Sequence, residues 1–254
     1  MKRLAYVLGL PALLFAGWFL LSDGSENFYA PPLRQILRAF ADTWTVERLR
    51  TDVIPSLLRL AAGYTLAAAG GIAAGVAIGL NRRLRAAVEP VLEFFRAIPP
   101  PVLVPVIMLF AGIGNGMKII VIVFGCVWPI LLNTVEGVRA VDGIQIDTAR
   151  AYGIDGPARI RRLILPAASP QIAAGLRQAL SIAIILMVIS EMFASSNGLG
   201  FTIVQFQRSF AIPEMWSGII LLGLLGFALS VLFRLAEGRA LRWYDGLRAA
   251  QRRS

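Results

Sequence analysis

The sequence predicts an all-α integral membrane protein with six transmembrane helices. Three observations predict it. Of the 254 residues, 57% are hydrophobic and only 16% charged, where a soluble domain carries about 45–50% apolar residues. Apolar stretches near the length that crosses a ~30 Å hydrocarbon core recur along the chain. The basic residues, finally, are gathered in the segments between those stretches on one side.

Met1, Lys2 and Arg3 precede an apolar run over 4–21, the first expected span. A secretory signal is the alternative reading, but 22–27 offers no small-x-small cleavage site, so an uncleaved anchor is expected. Over 31–51 the chain turns polar, with Leu33, Ile36, Leu37, Phe40 and Trp44 at helical spacing, the pattern of an amphipathic surface helix. The second span, 53–80, carries only Arg59 as a charge, and Gly71, Gly75 and Gly79 repeat every fourth residue for close helix packing. A basic turn and short helix over 81–96 leads to a third span, 98–112, opened by Pro99, Pro100 and Pro101 and interrupted by Pro105. Prolines there predict a broken helix whose freed carbonyls are met by neighbours or by a wet cavity. Gly114, Asn115 and Gly116 make a turn before the fourth span at 119–135. A polar segment over 136–177, a fifth span at 176–194, a loop over 195–214, a sixth span at 215–235 and a basic tail from 237 complete a single 254-residue domain.

The net charge of +10 raises the question of nucleic acid, and the placement of the charges answers it. Segments 1–3, 81–97, 136–177 and 234–254 hold 18 of the 25 basic residues and eight of the 15 acidic ones, a surplus of ten that equals the whole excess of the chain. That asymmetry puts these segments and both termini in the cytoplasm and explains the basicity without nucleic acid. With no histidine, His metal ligands and His-based triads are excluded. The lone Cys126 lies in an apolar run and reads as a core thiol. No catalytic residue, metal or cofactor is expected.

The informative stretch runs from Asp147 to Pro166. Ala149 and Ala151 are small, Gly153 and Gly156 follow Tyr152, and Pro157 stands behind Asp155 and Gly156. This reads as a helix that stops, turns and restarts at Pro157, and physics alone leaves open whether the elbow is a plain hairpin.

The stretch resembles the EAA loop of ATP-binding-cassette (ABC) importer permeases, whose pattern is Glu, Ala, Ala, three residues, Gly, nine residues, then Ile, any residue, Leu and Pro. Ala149, Gly153, Leu165 and Pro166 fall on that pattern, while Asp147, Thr148 and Leu163 depart from it conservatively. The resemblance covers about 56–235 and includes Arg96, Ile98, Pro99, Pro100, Pro105, Gly112, Gly114 and Lys118. Glu191 and Met192, followed by Ser195, Ser196, Gly198, Leu199 and Gly200, are similar to the sulfonate, taurine and nitrate branch.

The resemblance implies a type I importer permease of the bacterial inner membrane. Its elbow, with Asp147, Ala149, Tyr152, Gly153, Asp155, Gly156, Leu165 and Pro166, would dock into a separate ABC ATPase subunit. It further implies a second permease copy in a homodimer, two ATPase copies, a periplasmic or lipid-anchored solute-binding protein, and a small solute such as an alkanesulfonate, taurine or nitrate. In agreement, the only lysines, Lys2 and Lys118, precede neither Ser nor Thr, so the chain has no P-loop of its own.

The alternative, an ion-coupled secondary transporter, needs intramembrane acids, and Glu191 is the sole candidate. Arg59, Pro99, Pro100 and Glu191 are the candidates for a gate or pathway. Arg59 and Glu191 sit at matching depth in their spans, so they are expected to pair, and exchanging the two charges is expected to restore part of what either single reversal loses.

Overall fold

The computed structural model describes residues 2–22, 24, 25, 27–193, 195–244 and 246, with the side chains of 2–8, 11 and 12 set aside. Of the expected tail, 247–254 lie outside these residues. In chain order the helices are α1 (Lys2–Ser22), α2 (Leu33–Thr43), α3 (Val46–Arg48), α4 (Ile54–Leu80), α5 (Arg82–Ala97), α6 (Val104–Ala111) and α7 (Asn115–Arg139). They continue with α8 (Gly143–Ala151), α9 (Gly156–Arg159), α10 (Leu165–Phe193), α11 (Leu199–Arg208) and α12 (Ile212–Ala240). No strand occurs among the described residues.

Among the described residues, four helical stretches are long and apolar enough to cross a membrane: Val46–Leu80, Asn115–Arg139, Gly156–Phe193 and Ile212–Ala240. The third expected span is not a straight helix. α5 and the stretch Pro100–Ala111 meet at 84° and count as a fifth crossing only if the bent pair is one span. The break has a plain cause, because Pro100 and Pro101 lack the N–H groups a continuing helix needs. A short 3-10 turn, Pro100–Leu103, spans the gap, with Val102 N–H donating to the Pro99 carbonyl at 3.0 Å. α1 is helical over Lys2–Ser22, where the first span was expected.

Three helices build the core. α4 packs along α7 through one row of small residues: a Cβ added at Gly63, Gly71, Gly75 or Gly79 would meet Ile122, Ile130, Thr134 or Val138 at 2.6–3.0 Å. Ala67 and Cys126, both fully buried, complete the two facing rows, each with a period of four. The predicted Gly71–Gly75–Gly79 stripe therefore extends a further two turns and brings the two backbones close enough for dense van der Waals contact, the main source of helix cohesion in lipid. α10 lies on the other side of α7 in the same way. At Gly175 an added Cβ would strike the Pro129 carbonyl and the Asn133 side chain, both at 2.8 Å.

Several assignments differ from the sequence reading. α10 begins at Leu165, eleven residues before the expected span, because Ala168, Ile172 and Gly175 bury against neighbouring helices while Gln171 and Arg177 stay exposed. The expected polar segment is correspondingly shorter. The fourth span begins at Asn115 rather than 119. The loop expected over 195–214 contains α11, whose Leu199, Gly200, Thr202 and Phe206 are buried. The amphipathic helix, finally, is not free on a surface. Leu33 and Ile36 of α2 are buried, and just beyond it the Trp44 indole N–H donates to the Ser217 hydroxyl of α12 at 3.0 Å.

Candidate functional site

The polar residues singled out above gather at opposite ends of the bundle. At one end, where α10 meets α11, the structure brings Arg59 and Glu191 together at 2.6 Å, with the whole residues only 4% and 0% exposed. The carboxylate has further partners. The Ser56 hydroxyl lies 2.8 and 2.9 Å from its two oxygens, and the Gly200 backbone N–H donates to it at 3.0 Å. The guanidinium is equally occupied. Its Nε–H donates to Asn115 Oδ1 at 2.8 Å, and its terminal nitrogens reach the side-chain and backbone oxygens of Asn197 at 2.5 and 3.3 Å. Lys118, 3% exposed, donates to the Ser195 hydroxyl at 2.7 Å.

The segment joining α10 to α11 is shaped by this cluster. Gly198 has φ +118°, and a Cβ there would lie 2.5 Å from the Glu191 carboxyl carbon. Only glycine supplies both the backbone conformation and the clearance. Leu199 N–H in turn donates to the Ser56 hydroxyl at 3.0 Å, so the start of α11 is tied to α4.

This lining bears on the expected exchange of the two charges. Around position 191 the neighbours are donors, Ser56 O–H and Gly200 N–H, and around Arg59 they are acceptors, the oxygens of Asn115 and Asn197. Each half of the pocket is sorted by sign. As the side chains stand, an exchange of the two charges would set a cation among donors and a carboxylate among acceptors, and any recovery would need the Ser56 hydroxyl and the Asn115 and Asn197 amides, each able to donate and to accept, to turn.

Sequence reasoning found Arg59 and Glu191 but not Ser56, Asn115 or Asn197 as their partners, and it left Lys118 outside its span. A lysine beside an apolar run was the available signal. Starting the span at 119 hid it.

At the other end lies the elbow. α8 ends at Ala151, and Gly153, at φ +67°, turns the chain, with Gly153 N–H donating to Arg150 O at 2.9 Å and Ile154 N–H to Ala149 O at 2.8 Å. Gly156 has φ +53°, and Pro157 sits in the first turn of α9, so the helix restarts where expected. Asp147 pairs with Arg150 at 3.1 Å and Asp155 with Arg159 at 3.9 Å, and both acids are exposed. Tyr152 is 80% exposed. Ala149 is instead buried, so a large side chain there disturbs the elbow itself. Leu165 is half-buried beside the core under the elbow, and the exposed Pro166 lines a cavity with Arg162, Trp243 and Tyr244.

Pro99 is exposed, and the half-buried Pro100 lines a second cavity between the broken helix, α7 and α10. Neither proline approaches the Arg59–Glu191 cluster in any hydrogen bond or ion pair.

Helices that bury small-residue seams, a helix broken at mid-depth and charges satisfied inside the bundle define a polytopic membrane transport subunit. The chain belongs to the family described as binding-protein-dependent transport system inner membrane component, whose model matches residues 67–242. It is 29% identical to the putative aliphatic sulfonates transport permease protein of Bacillus subtilis, over 96% of this chain and 91% of that one. It is 33% identical to the bicarbonate transport system permease protein of Synechococcus elongatus, over 76% and 70% of the two chains. The fold is similar to that in an inward-facing crystal structure of the MetNI methionine ABC transporter, with a TM-score of 0.59 at 20% identity, covering 75% of this chain and 94% of that one. The chain is thus a permease subunit of an ABC importer, a family that works with ATPase subunits and a binding protein. The ion-coupled alternative finds no support among these relatives.

Proposed function

We propose that two copies of this chain form the path of an importer for a small anion, driven by two ATPase subunits that each receive one elbow. The observation that carries the coupling role is the elbow's construction. Two left-handed glycines hold α8 and α9 in a projecting turn whose Asp147, Tyr152 and Asp155 side chains are exposed. The family relationship and the match of Ala149, Gly153, Leu165 and Pro166 to the EAA pattern support the same role. The anion reading rests on the relatives, one named for sulfonates and one for bicarbonate.

In this reading the bent pair and α1 add two crossings to the four long helices, giving six, with the elbow and both termini in the cytoplasm of a bacterium. The cluster around Arg59 then closes the periplasmic end. Its buried carboxylate is held by Arg59, Ser56 and Gly200, an arrangement suited to fastening α4, α10 and α11 together rather than to binding a coupling ion.

The test is reconstitution of the permease with its ATPase and binding protein in proteoliposomes. ATP-dependent uptake of methanesulfonate, taurine, nitrate or bicarbonate is expected, together with labelling of a cysteine at position 155, on a Cys126→Ala background, from the ATPase side only. Uptake restricted to solutes that carry no anionic group removes the anion reading. Labelling of position 155 from the opposite face removes the topology.

A further inference from the structure

Between the break in α5–α6 and the flanks of α7 and α10 lies an open-sided cavity of about 320 Å³. This is the small end of the ~300–1,000 Å³ typical of ligand sites. Its polar lining is unusual for its depth. Gln178 stands near the middle of α10, its side chain exposed and without a hydrogen-bond partner among the described residues. Asn133 of α7 uses one N–H on the Pro129 carbonyl at 2.8 Å, leaving its second N–H and its oxygen unused. Amides at such depth do not face lipid without cost, so they face a wet path or a neighbouring surface.

A second observation points the same way. The Trp128 indole nitrogen is buried and has no hydrogen-bond partner, the single such side-chain atom among the described residues. Leaving a donor in that state costs stability that a partner would recover. The ring is nevertheless held firmly, stacked on Phe95 at 5.8 Å and 3° and edge-on to Phe124 at 5.5 Å. Trp128 lines the cavity, and its nitrogen, closed off from solvent at rest, becomes a ready donor once a small displacement of its neighbours opens it to the cavity.

The charge sets the class of ligand. Arg96 is the only charged residue of the lining. Its ion-pair partner Glu93, at 2.6 Å, lines only the neighbouring cavity, which Arg96 borders as well. That pair is more than half exposed and weakly held, so the guanidinium can turn to an incoming anion with little loss.

We propose that this cavity is the resting site of a small oxyanion on its way through the permease. Arg96 supplies the charge, Trp128 and Gln178 donate hydrogen bonds, and Leu132 and Ile182 leave room for a short apolar tail. The inference rests on the anion reading above and adds the residues that carry it.

The test uses the reconstituted complex with the anion that the wild type imports. Trp128→Phe keeps a six-membered ring to stack on Phe95 and removes the N–H together with the five-membered ring, and Gln178→Leu replaces a mid-span amide with an apolar group. Each is expected to lower uptake about ten-fold at sub-saturating anion, the scale of one lost hydrogen bond to a charge. Arg96→Gln is expected to lose more, and Arg96→Lys to recover part of it. A purely structural Gln178 would instead gain thermal stability as leucine at undiminished uptake. As a check independent of folding in the leucine variant, a thiol introduced by Gln178→Cys with Cys126→Ala should react several-fold more slowly with a methanethiosulfonate reagent when the transported anion is present. Anion uptake by the wild type with undiminished uptake by Trp128→Phe and Gln178→Leu, or thiol reactivity indifferent to the anion, overturns the site and leaves the anion reading standing. If the wild type imports no anion at all, that reading fails first.

Discussion

The two ends of the bundle carry similar numbers of polar side chains and dispose of them in opposite ways. Around Arg59, Lys118 and Glu191 the charges are buried and each is satisfied by groups of the same chain. Around the elbow, Asp147, Arg150, Tyr152 and Asp155 stand in the open, and their ion pairs join residues three or four apart on one helix or its cap. Exposed pairs of that kind contribute about 0–1 kcal/mol. The buried end is thus closed on itself and the elbow is incomplete. Damage to the first should appear as lost stability, and damage to the second as lost assembly with the fold intact.

The largest effect should follow from stranding one buried charge. Arg59→Met leaves Glu191 with Ser56 and Gly200 but no cation, which costs on the order of 3–5 kcal/mol for a buried pair losing one partner. Thermal unfolding of the detergent-solubilised permease should fall steeply, and the charge exchange Arg59→Glu with Glu191→Arg should be no more stable than the worse single variant. A double variant restored to near wild-type stability would show that the surrounding hydroxyl and amides turn to suit the exchanged charges.

Two left-handed glycines sharpen the comparison. Gly198 and Gly153 both have positive φ, at +118° and +67°, but a Cβ at Gly198 would lie 2.5 Å from the Glu191 carboxyl carbon and one at Gly153 would meet nothing within 4 Å. Gly153→Ala therefore carries only the backbone term of about 1–2 kcal/mol. Gly198→Ala adds a clash with an immobile buried ion pair and should destabilise more. Gly153→Val, with a branched side chain in the same left-handed conformation, should in addition abolish recruitment of the ATPase. Melting temperatures of the alanine variants, measured side by side, decide the order. Equal losses would mean that the segment at Gly198 yields easily and the cluster is softer than its hydrogen bonds imply.

The sequence disclosed the elbow and the glycine stripe almost completely, because both are local. Gly153, Gly156 and Pro157 each impose a backbone state that no distant contact has to supply, and a glycine every fourth residue names one helix face. The Arg59–Glu191 pair was legible for a different reason. Charges are rare inside spans, so two at matching depth leave few partners to choose from. What stayed hidden depends on where other elements happen to lie. Asn115, Ser195 and Asn197 looked like ordinary turn residues, and only the packing of the α10–α11 segment onto α4 and α7 makes them ligands of the buried cations. The start of α10 at Leu165 was equally hidden, since Pro166 and Pro170 stand in its first two turns while small residues on the other face bury against neighbouring helices.

The smallest expected change in stability marks the other pole of the comparison and tests the elbow most cleanly. Tyr152 follows the last residue of α8, 80% exposed, and its ring is the largest apolar group that the elbow presents between Asp147 and Asp155. Its backbone N–H already closes the helix by donating to Thr148 O at 3.1 Å, a bond that any side chain but proline preserves. Tyr152→Ala should therefore change the stability of the isolated permease by no more than about 0.5 kcal/mol, the range of surface substitutions. An exposed aromatic is, however, the kind of group that anchors a protein interface when a partner's pocket desolvates it, with truncation costs of about 2 kcal/mol or more. Co-purification of the ATPase should fall accordingly, by roughly thirty-fold in affinity for a 2 kcal/mol loss. An ATPase that binds the alanine variant as tightly as the wild type would leave the glycine-framed turn with a shape but no anchor, and the docking contact would then have to be sought on the α9 side of Gly156.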